Sequence, residues 1–429
     1  MHALLAIANV HPALAAPTSV RSAPAAPKDV HTVHLLFSHH LDIGLNAELD
    51  ITEFCLGFAT KIVQQYFDEF IPHMLSLADE LRNGTDRFTY TIHPWIASLY
   101  VDCVPWSVPD GCLRQPGLLN CPSTEEVAAF DAAVRRGDLV WADSPMNLNS
   151  GVVGEPGMME ALVDIAGTLN ERYNLTKKRR VWSNVDVPGF ARSSIPLLRR
   201  AGIDALSICA NVGGYSARSG AVPEFVGEHN ATMFRWNDPA SGEELLVLYH
   251  RAQHDTPIDI PLPSTFNTYG GYTRPDNTII TPSGTALASF IGADNTGPPL
   301  SAFEVRRIFA RVRGLFPHAT VFSSTWDAFV ADVSAAEVAA LPRASSAWGD
   351  MWLTGMATDP ARLAAYRAIA RARAACIASG ACAPRDPVLR NLTRFAAKNA
   401  EHTQGVQGSG RSPGDQLCIW TQAIWKKPL

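Results

Sequence analysis

No apolar stretch in this sequence reaches the roughly 18 residues that a membrane-spanning helix needs, so no segment is expected to insert into a bilayer. An excess of one charge is missing too. The chain has 36 Lys and Arg against 41 Asp and Glu, a net charge of -5, which gives no electrostatic argument for nucleic acid or a lipid surface as partner. The eight cysteines contain no Cys-x-x-Cys pair and no Cys/His zinc spacing. The amino terminus lacks the positive start of a secretory signal, although Leu4-Leu5-Ala6-Ile7-Ala8 and Ala13-Leu14-Ala15-Ala16 have the shape of its later parts.

What remains is ordinary globular composition, 47% hydrophobic and 18% charged, over 429 residues. That is long enough for a large core and for more than one domain. Residues 1–29 read as a possible signal peptide followed by an Ala/Pro/Ser-rich linker. Four sequons occur, at Asn83-Gly84-Thr85, Asn174-Leu175-Thr176, Asn230-Ala231-Thr232 and Asn391-Leu392-Thr393. Cys103, Cys112 and Cys121 cluster in a Pro/Gly-rich stretch where a disulfide is expected, and Cys376 and Cys382 are close together. The sequons and the even cysteine count favour the secretory pathway or an extracellular location, with glycoprotein character. Buried free thiols in a reducing compartment are the alternative.

Short apolar runs alternate with helical patterns. Strands are expected at 33–37, 87–92, 139–141, 180–183, 204–209, 245–249 and 319–322. A long amphipathic helix is expected over 52–82, with Val63, Phe67, Phe70, Met74 and Leu81 on one face and Asn83-Gly84 as its stop. Capping boxes are predicted at Ser123/Glu126, Ser301/Glu304 and Ser334/Glu337. This alternation predicts a mostly parallel α/β, barrel-like domain over 30–342. Residues 250–300, rich in Gly, Pro, Thr and Asn, break the pattern and read as a functional or disordered loop. Helices starting at Asp359-Pro360 and Asp386-Pro387 predict a small helical domain over 343–404, before an irregular tail at 405–429.

The chemistry concentrates in Ser38-His39-His40-Leu41-Asp42-Ile43-Gly44, directly after an apolar run that reads as a buried strand. Imidazole and carboxylate are groups that bind a divalent transition metal. Residues i and i+2 of an extended segment point the same way, so His40 and Asp42 can face one ion. Hydrogen-bonded strand-end caps are the plainer reading. A second element is Asp186 in Asn184-Val185-Asp186-Val187-Pro188-Gly189-Phe190, where a parallel strand ends before a helix. That is the usual active-site edge of α/β proteins. The plainer reading is a turn Asp.

These two segments resemble the catalytic region of glycoside hydrolase family 38, the zinc-dependent α-mannosidases, and look closer still to uncharacterised relatives of those enzymes. The family's His-x-Asp-x-Gly motif is similar to His40-Leu41-Asp42-Ile43-Gly44, and its Asp-x-x-Gly segment to Asp186-Val187-Pro188-Gly189. Leu197-Leu198-Arg199-Arg200-Ala201-Gly202-Ile203 is similar to the helix that follows. Glu401-His402-Thr403-Gln404-Gly405 stands where the family has its helical-bundle histidine, and the likeness covers residues 30–405. The resemblance implies a carbohydrate substrate and a Zn2+ ion held by His40, Asp42, Asp186 and His402, with Asp186 also the nucleophile. It implies a second carboxylic acid to protonate the leaving oxygen, about 5–5.5 Å from the nucleophile in a retaining enzyme. Asp350, in Gly349-Asp350-Met351-Trp352, is the first candidate and Asp255 the second, although the family's downstream acid has no clear counterpart. His39 is expected to be structural or to support the ligands. Trp95 is a candidate for stacking on a sugar face, with a core Trp as the alternative. Family members continue into β-sandwich domains, whereas this sequence runs only to Leu429. Two other functions remain open: a polysaccharide deacetylase-like zinc hydrolase, and a non-catalytic carbohydrate-binding relative.

Overall fold

The structure, a computed structural model, describes residues 30–43, 62–103, 119–187, 189–210, 232–250, 268–269, 278–348 and 360–402. Its strands in chain order are β1 (Thr32–His40), β2 (Tyr90–Ile92), β3 (Leu139–Trp141), β4 (Val181–Asp186), β5 (Ala205–Ala210) and β6 (Met233–Asn237). They continue with β7 (Glu244–His250), β8 (Thr268–Tyr269), β9 (Ile279–Ile280), β10 (Thr285–Asp294), β11 (Thr320–Ser324) and β12 (Arg343–Ala344).

β1 is the centre of the first sheet because both of its faces are apolar. Val33, Leu35 and Phe37 enter the main core, and Leu36 enters a second apolar cluster on the other face. Truncating a fully buried residue such as Leu35 to Ala costs about 2–5 kcal/mol. β10 runs parallel along one edge of β1. On the other edge β11 covers Thr32 to Leu36 and β2 takes over at Phe37 and Ser38. β3 extends this sheet beyond β2, and the short β8 and β9 pair antiparallel with β10. The register of β1 with β10 is regular up to His39↔Gly292, then skips residue 293 so that His40 faces Asp294. This irregularity falls at the carboxyl end of β1, where such bulges commonly re-aim a side chain.

The second sheet has the order β12-β6-β7-β5-β4. β4, β5 and β7 are parallel and β6 is antiparallel to β7. The fold is therefore mixed α/β with largely parallel sheets. The barrel-like expectation is corrected to that extent, because the described strands make two sheets rather than one ring. Where β3 would meet β4, side chains replace much of a backbone ladder. Ser144 Oγ accepts from Ser183 N at 3.1 Å, Asn147 Oδ1 from Val185 N at 2.9 Å, and Asn184 Oδ1 from Leu148 N at 2.8 Å.

The helix expected over 52–82 is interrupted where it is described. A π-helical turn, Tyr66–Phe70, precedes the α-helix Ile71–Leu81. Pro72 has no N–H to give to the carbonyl of residue 68, and Ile71 N reaches back to Tyr66 O instead. The apolar face is as predicted: Val63, Phe67, Met74 and Leu81 are buried, and Phe70 is partly so. Both partners of the capping box are bonded at Ser123/Glu126 and at Ser334/Glu337. At Ser301 only half the box forms, since the Glu304 carboxylate accepts from Leu300 N. The predicted disulfide region holds a Cys103–Cys121 bond, and Cys376–Cys382 is a second.

The helices Pro360–Ala378 and Pro387–Ala397 pack on the helix Pro156–Arg172. The second begins with Asp386 Oδ1 accepting from Val388 N at 2.8 Å. It ends in a 3-10 turn, Lys398–Ala400, after which Glu401 pairs with Leu148 and His402 N donates to Asn147 O at 3.1 Å. His402 is thereby laid beside the end of β4. Among the described residues, no helix is long and apolar enough to cross a membrane.

Candidate metal centre

His40 closes β1, Asp42 follows two residues later, Asp186 closes β4, and His402 follows the last 3-10 turn. Each offers one ligand atom, and these atoms all lie within 4.8 Å of one another. His40 Nε2 is 2.9 Å from Asp42 Oδ1, 3.1 Å from His402 Nε2 and 3.9 Å from Asp186 Oδ2. His402 Nε2 is 2.9 Å from Asp42 Oδ1 and 3.0 Å from Asp186 Oδ2. His40 and His402 are 0% exposed, Asp42 1% and Asp186 7%, so all four are buried and Asp186 is the least so.

Local structure holds these side chains in place. Asn295, itself left-handed at φ 50°, accepts from Asp42 N through Oδ1 and donates to Asp42 O through Nδ2, both at 3.0 Å. Its own N–H donates to His40 O at 3.1 Å. His402 Nδ1 lies 3.1 Å from the buried Glu401 Oε1, which turns Nε2 toward the cluster. Asp186 has φ 71°, uncommon for a residue with a side chain, and the chain leaves β4 there. Backbone strain of this kind concentrates at functional sites.

The electrostatics follow from packing two carboxylates and two imidazoles out of water. Burial works to raise the carboxyl of Asp42, but the charges of His40 and His402 outweigh it and hold it well below the usual range. Asp186 is also lowered, against the same burial, by its contact with His402 and the charge of His40. Burial works to lower both imidazoles. Asp42 more than reverses this at His40, and Glu401 with Asp42 does so at His402, so both end raised.

This donor set fits a divalent cation. One N–H cannot point at three neighbours, yet each Nε2 has several within about hydrogen-bond range. Convergent lone pairs of two imidazoles and two carboxylates satisfy one another when a cation stands between them, and nitrogen plus carboxylate oxygen is a zinc-type set.

The other site residues expected from the sequence divide clearly. Trp95 is 1% exposed in the helix Pro94–Val101, and its indole N–H donates to Arg394 O at 2.7 Å. The sugar-stacking expectation is therefore corrected: Trp95 is a core residue that ties this helix to Pro387–Ala397. Asp255 and Asp350 lie outside the described residues. His39 faces away from the cluster's ligands into an aromatic nest. It stacks on Tyr90 at 5.7 Å and meets Tyr66 and His93 at 5.1 and 4.9 Å. Burial, then the nearby His93 and His40, keep it well below the usual imidazole range, and His93 is pushed down to about 3.

Asn295 and Glu401 were not read from the sequence as supports of the site. Asn295 carries no signal beyond an Asp-Asn pair in a turn-rich stretch. Glu401, adjacent to a candidate ligand, did carry one, since ligand imidazoles commonly bond a carboxylate through their other nitrogen.

Residues 356–408 match a family described as a domain of unknown function, DUF5054. That stretch holds the two carboxyl-terminal helices and His402. Among curated proteins, none matches the chain. Solved structures similar to it include an alpha-mannosidase from Enterococcus faecalis, at 12% identity and a TM-score of 0.45, covering 74% of this chain and 31% of that one. A 4-alpha-glucanotransferase from Thermococcus litoralis is similar at 12% identity and a TM-score of 0.44, with 75% and 42% covered. A protein in the glycosyl hydrolase family 38 from Enterococcus faecalis has 9% identity and a TM-score of 0.39, with 75% and 29% covered. This chain thus spans 31% and 42% of the length of the first two. At these identities and TM-scores the likenesses leave family and activity open.

Proposed function

We propose that the chain is a zinc-dependent glycoside hydrolase similar to the retaining α-mannosidases. In this reading residues 30–342 form the catalytic region and 343–404 a helical domain. One observation supports it above the others: His40, Asp42, Asp186 and His402, picked out by motif from three distant segments, bring their ligand atoms within 4.8 Å.

His40, Asp42, Asp186 and His402 would hold the ion. Zinc bound there would supply a Lewis acid and a template for sugar hydroxyls. The residues do the rest. Asp186, held ionised by His402 and His40 against its burial and the least buried of the four, presents a carboxylate to the anomeric carbon. Asn295 and Glu401 keep Asp42 and His402 from turning away as substrate enters. Asp350 is assigned the role of proton donor to the leaving oxygen, with Asp255 as the substitute. The two disulfides support passage through an oxidising compartment.

The test is a pre-steady-state assay of the zinc-loaded chain with activated fluoroglycosides. A burst of fluoride and a glycosyl adduct on Asp186, found by peptide mass, are expected. Zinc content with deacetylation and no adduct would replace this reading by the deacetylase-like one. Zinc content with sugar binding and no turnover would replace it by the binding-only one.

A further inference from the structure

Three of the four sequons lie among the described residues, and the fold treats them differently. Asn83, Gly84 and Thr85 are all exposed in the turn between the helix Ile71–Leu81 and β2. Asn174 and Thr176 are exposed in the connection between the helix Pro156–Arg172 and β4, and Asn174 is left-handed at φ 52°. Asn391 sits inside the helix Pro387–Ala397. Its Oδ1 accepts from Arg394, whose guanidinium is buried and donates to Ser98 O at 2.7 Å. The hydroxyl of Thr393 is bonded to Leu389 O at 2.8 Å, and the residue is 3% exposed.

We propose that Asn83 and Asn174 are N-glycan acceptors and that Asn391 is not. The step requires an oligosaccharide carried on a polyisoprenoid diphosphate. The amide Nδ2 of Asn attacks C1 of the first sugar and gives up one proton; the N–C1 bond forms, the C1–O bond breaks, and the lipid diphosphate leaves. The acceptor amide must be free to turn toward C1, and the hydroxyl two residues on must be accessible. Exposed turns at 83–85 and 174–176 meet both conditions. At Asn391 the amide oxygen is tied to Arg394 and the Thr393 hydroxyl is tied to the helix, so neither is met.

Topology adds a second argument. Both acceptor turns lead into the amino ends of parallel strands, β2 and β4, whereas His40, Asp42 and Asp186 lie at or just beyond carboxyl ends. Glycans at Asn83 and Asn174 would project from the end of the sheets opposite the candidate centre. They would shield the surface there and leave the approach to Asp186 clear.

This inference rests on the secretory part of the proposed function, so the experiment supplies secretion from outside. The full chain, in an N230Q background because Asn230 lies outside the described residues, is sent through the secretory pathway of a eukaryotic host by an added signal peptide. Enzymatic deglycosylation in heavy-oxygen water, then peptide mass analysis, reads each Asn directly without further mutation. Label at Asn83 and Asn174 and none at Asn391 is expected. N83Q and N174Q should each remove one glycan from the gel mobility, and N391Q none. An unlabelled Asn83 or Asn174, or a labelled Asn391 in folded secreted protein, overturns the proposal. Failure of the native chain to be secreted would count against the location alone.

Discussion

His40 Nε2 lies 3.1 Å from His402 Nε2, across 362 positions of sequence. Two imidazole nitrogens at that distance repel through their lone pairs unless a proton or a cation stands between them. Two carboxylates, Asp42 and Asp186, close the same space.

The first prediction is that adding zinc stabilises the chain and that His402→Ala largely removes the effect. At a free zinc concentration about 100 times the dissociation constant, linkage gives about 2.7 kcal/mol for a site absent from the unfolded chain. Thermal melts with zinc and with chelator, together with metal content, measure this. Equal melting temperatures in both conditions would dissolve the centre.

Zinc affinity should also rise with pH over an unusually high window. Before an ion binds, His40 and His402 hold their protons above the ordinary imidazole value of 6.5, because neighbouring carboxylates outweigh burial. Metal must displace those protons. Binding is therefore weakest below pH 6.5, strengthens as pH rises, and levels off only above the raised values. Each proton displaced contributes about a tenfold change per pH unit in that range. Titration calorimetry in several buffers counts the protons released. A pH-independent affinity would mean that the imidazoles are not ligands.

Asp186 should separate chemistry from backbone strain. At φ 71° Asn is tolerated nearly as well as Asp, whereas a β-branched residue is strained by about 1–2 kcal/mol. Asp186→Asn should abolish glycoside turnover and lower the melting temperature of the metal-free chain only through the lost ion pair with His402, without added backbone strain. Asp186→Val should lose turnover and also unfold earlier. Turnover by Asp186→Asn at the rate of the unaltered chain would remove the assigned nucleophile.

Asn295→Ala removes two hydrogen bonds to the Asp42 backbone and places Ala at φ 50°. Zinc affinity is expected to fall about 10–100-fold, as for other residues that orient a ligand without touching the ion. Asn295→Gly, which relieves the backbone strain but not the lost bonds, should recover stability without recovering affinity. Competition with a fluorescent chelator measures the affinity, and thermal melts of the metal-free chain measure the stability.

For the proton donor, leaving-group chemistry decides. Asp350→Ala should cripple cleavage of a natural disaccharide and largely spare adduct formation from an activated aryl glycoside, which needs little protonation. Azide should then speed the second step. If both substrates suffer equally, or neither does, the same comparison passes to Asp255.

Much of this was legible in the residues. β1, β3, β5 and β7 are dense apolar runs, and the i, i+2 spacing of His40 and Asp42 survives intact in space. β10 was not legible. Thr285-Ala286-Leu287-Ala288-Ser289-Phe290-Ile291-Gly292 has few large side chains, and its burial comes from lying between β1 and the short β8 and β9. Tertiary position, not propensity, makes it a strand. Trp95 could be read either way, since a Trp after His-Pro does not say which side of a helix it will occupy. The supporting Asn295 is set by a left-handed turn, and short-range pattern has no view of such a partner.

The two adjacent histidines of β1 have opposite surroundings. Because strand neighbours point to opposite sides, His39 sits in the tyrosine nest while His40 joins the ligands, and the skip at residue 293 lies between their pairing partners. Sliding β1 by one position would exchange them. The alignment of β1 with β10 therefore decides which of two adjacent imidazoles stands beside Asp42, Asp186 and His402 and which is shut in among Tyr66 and Tyr90.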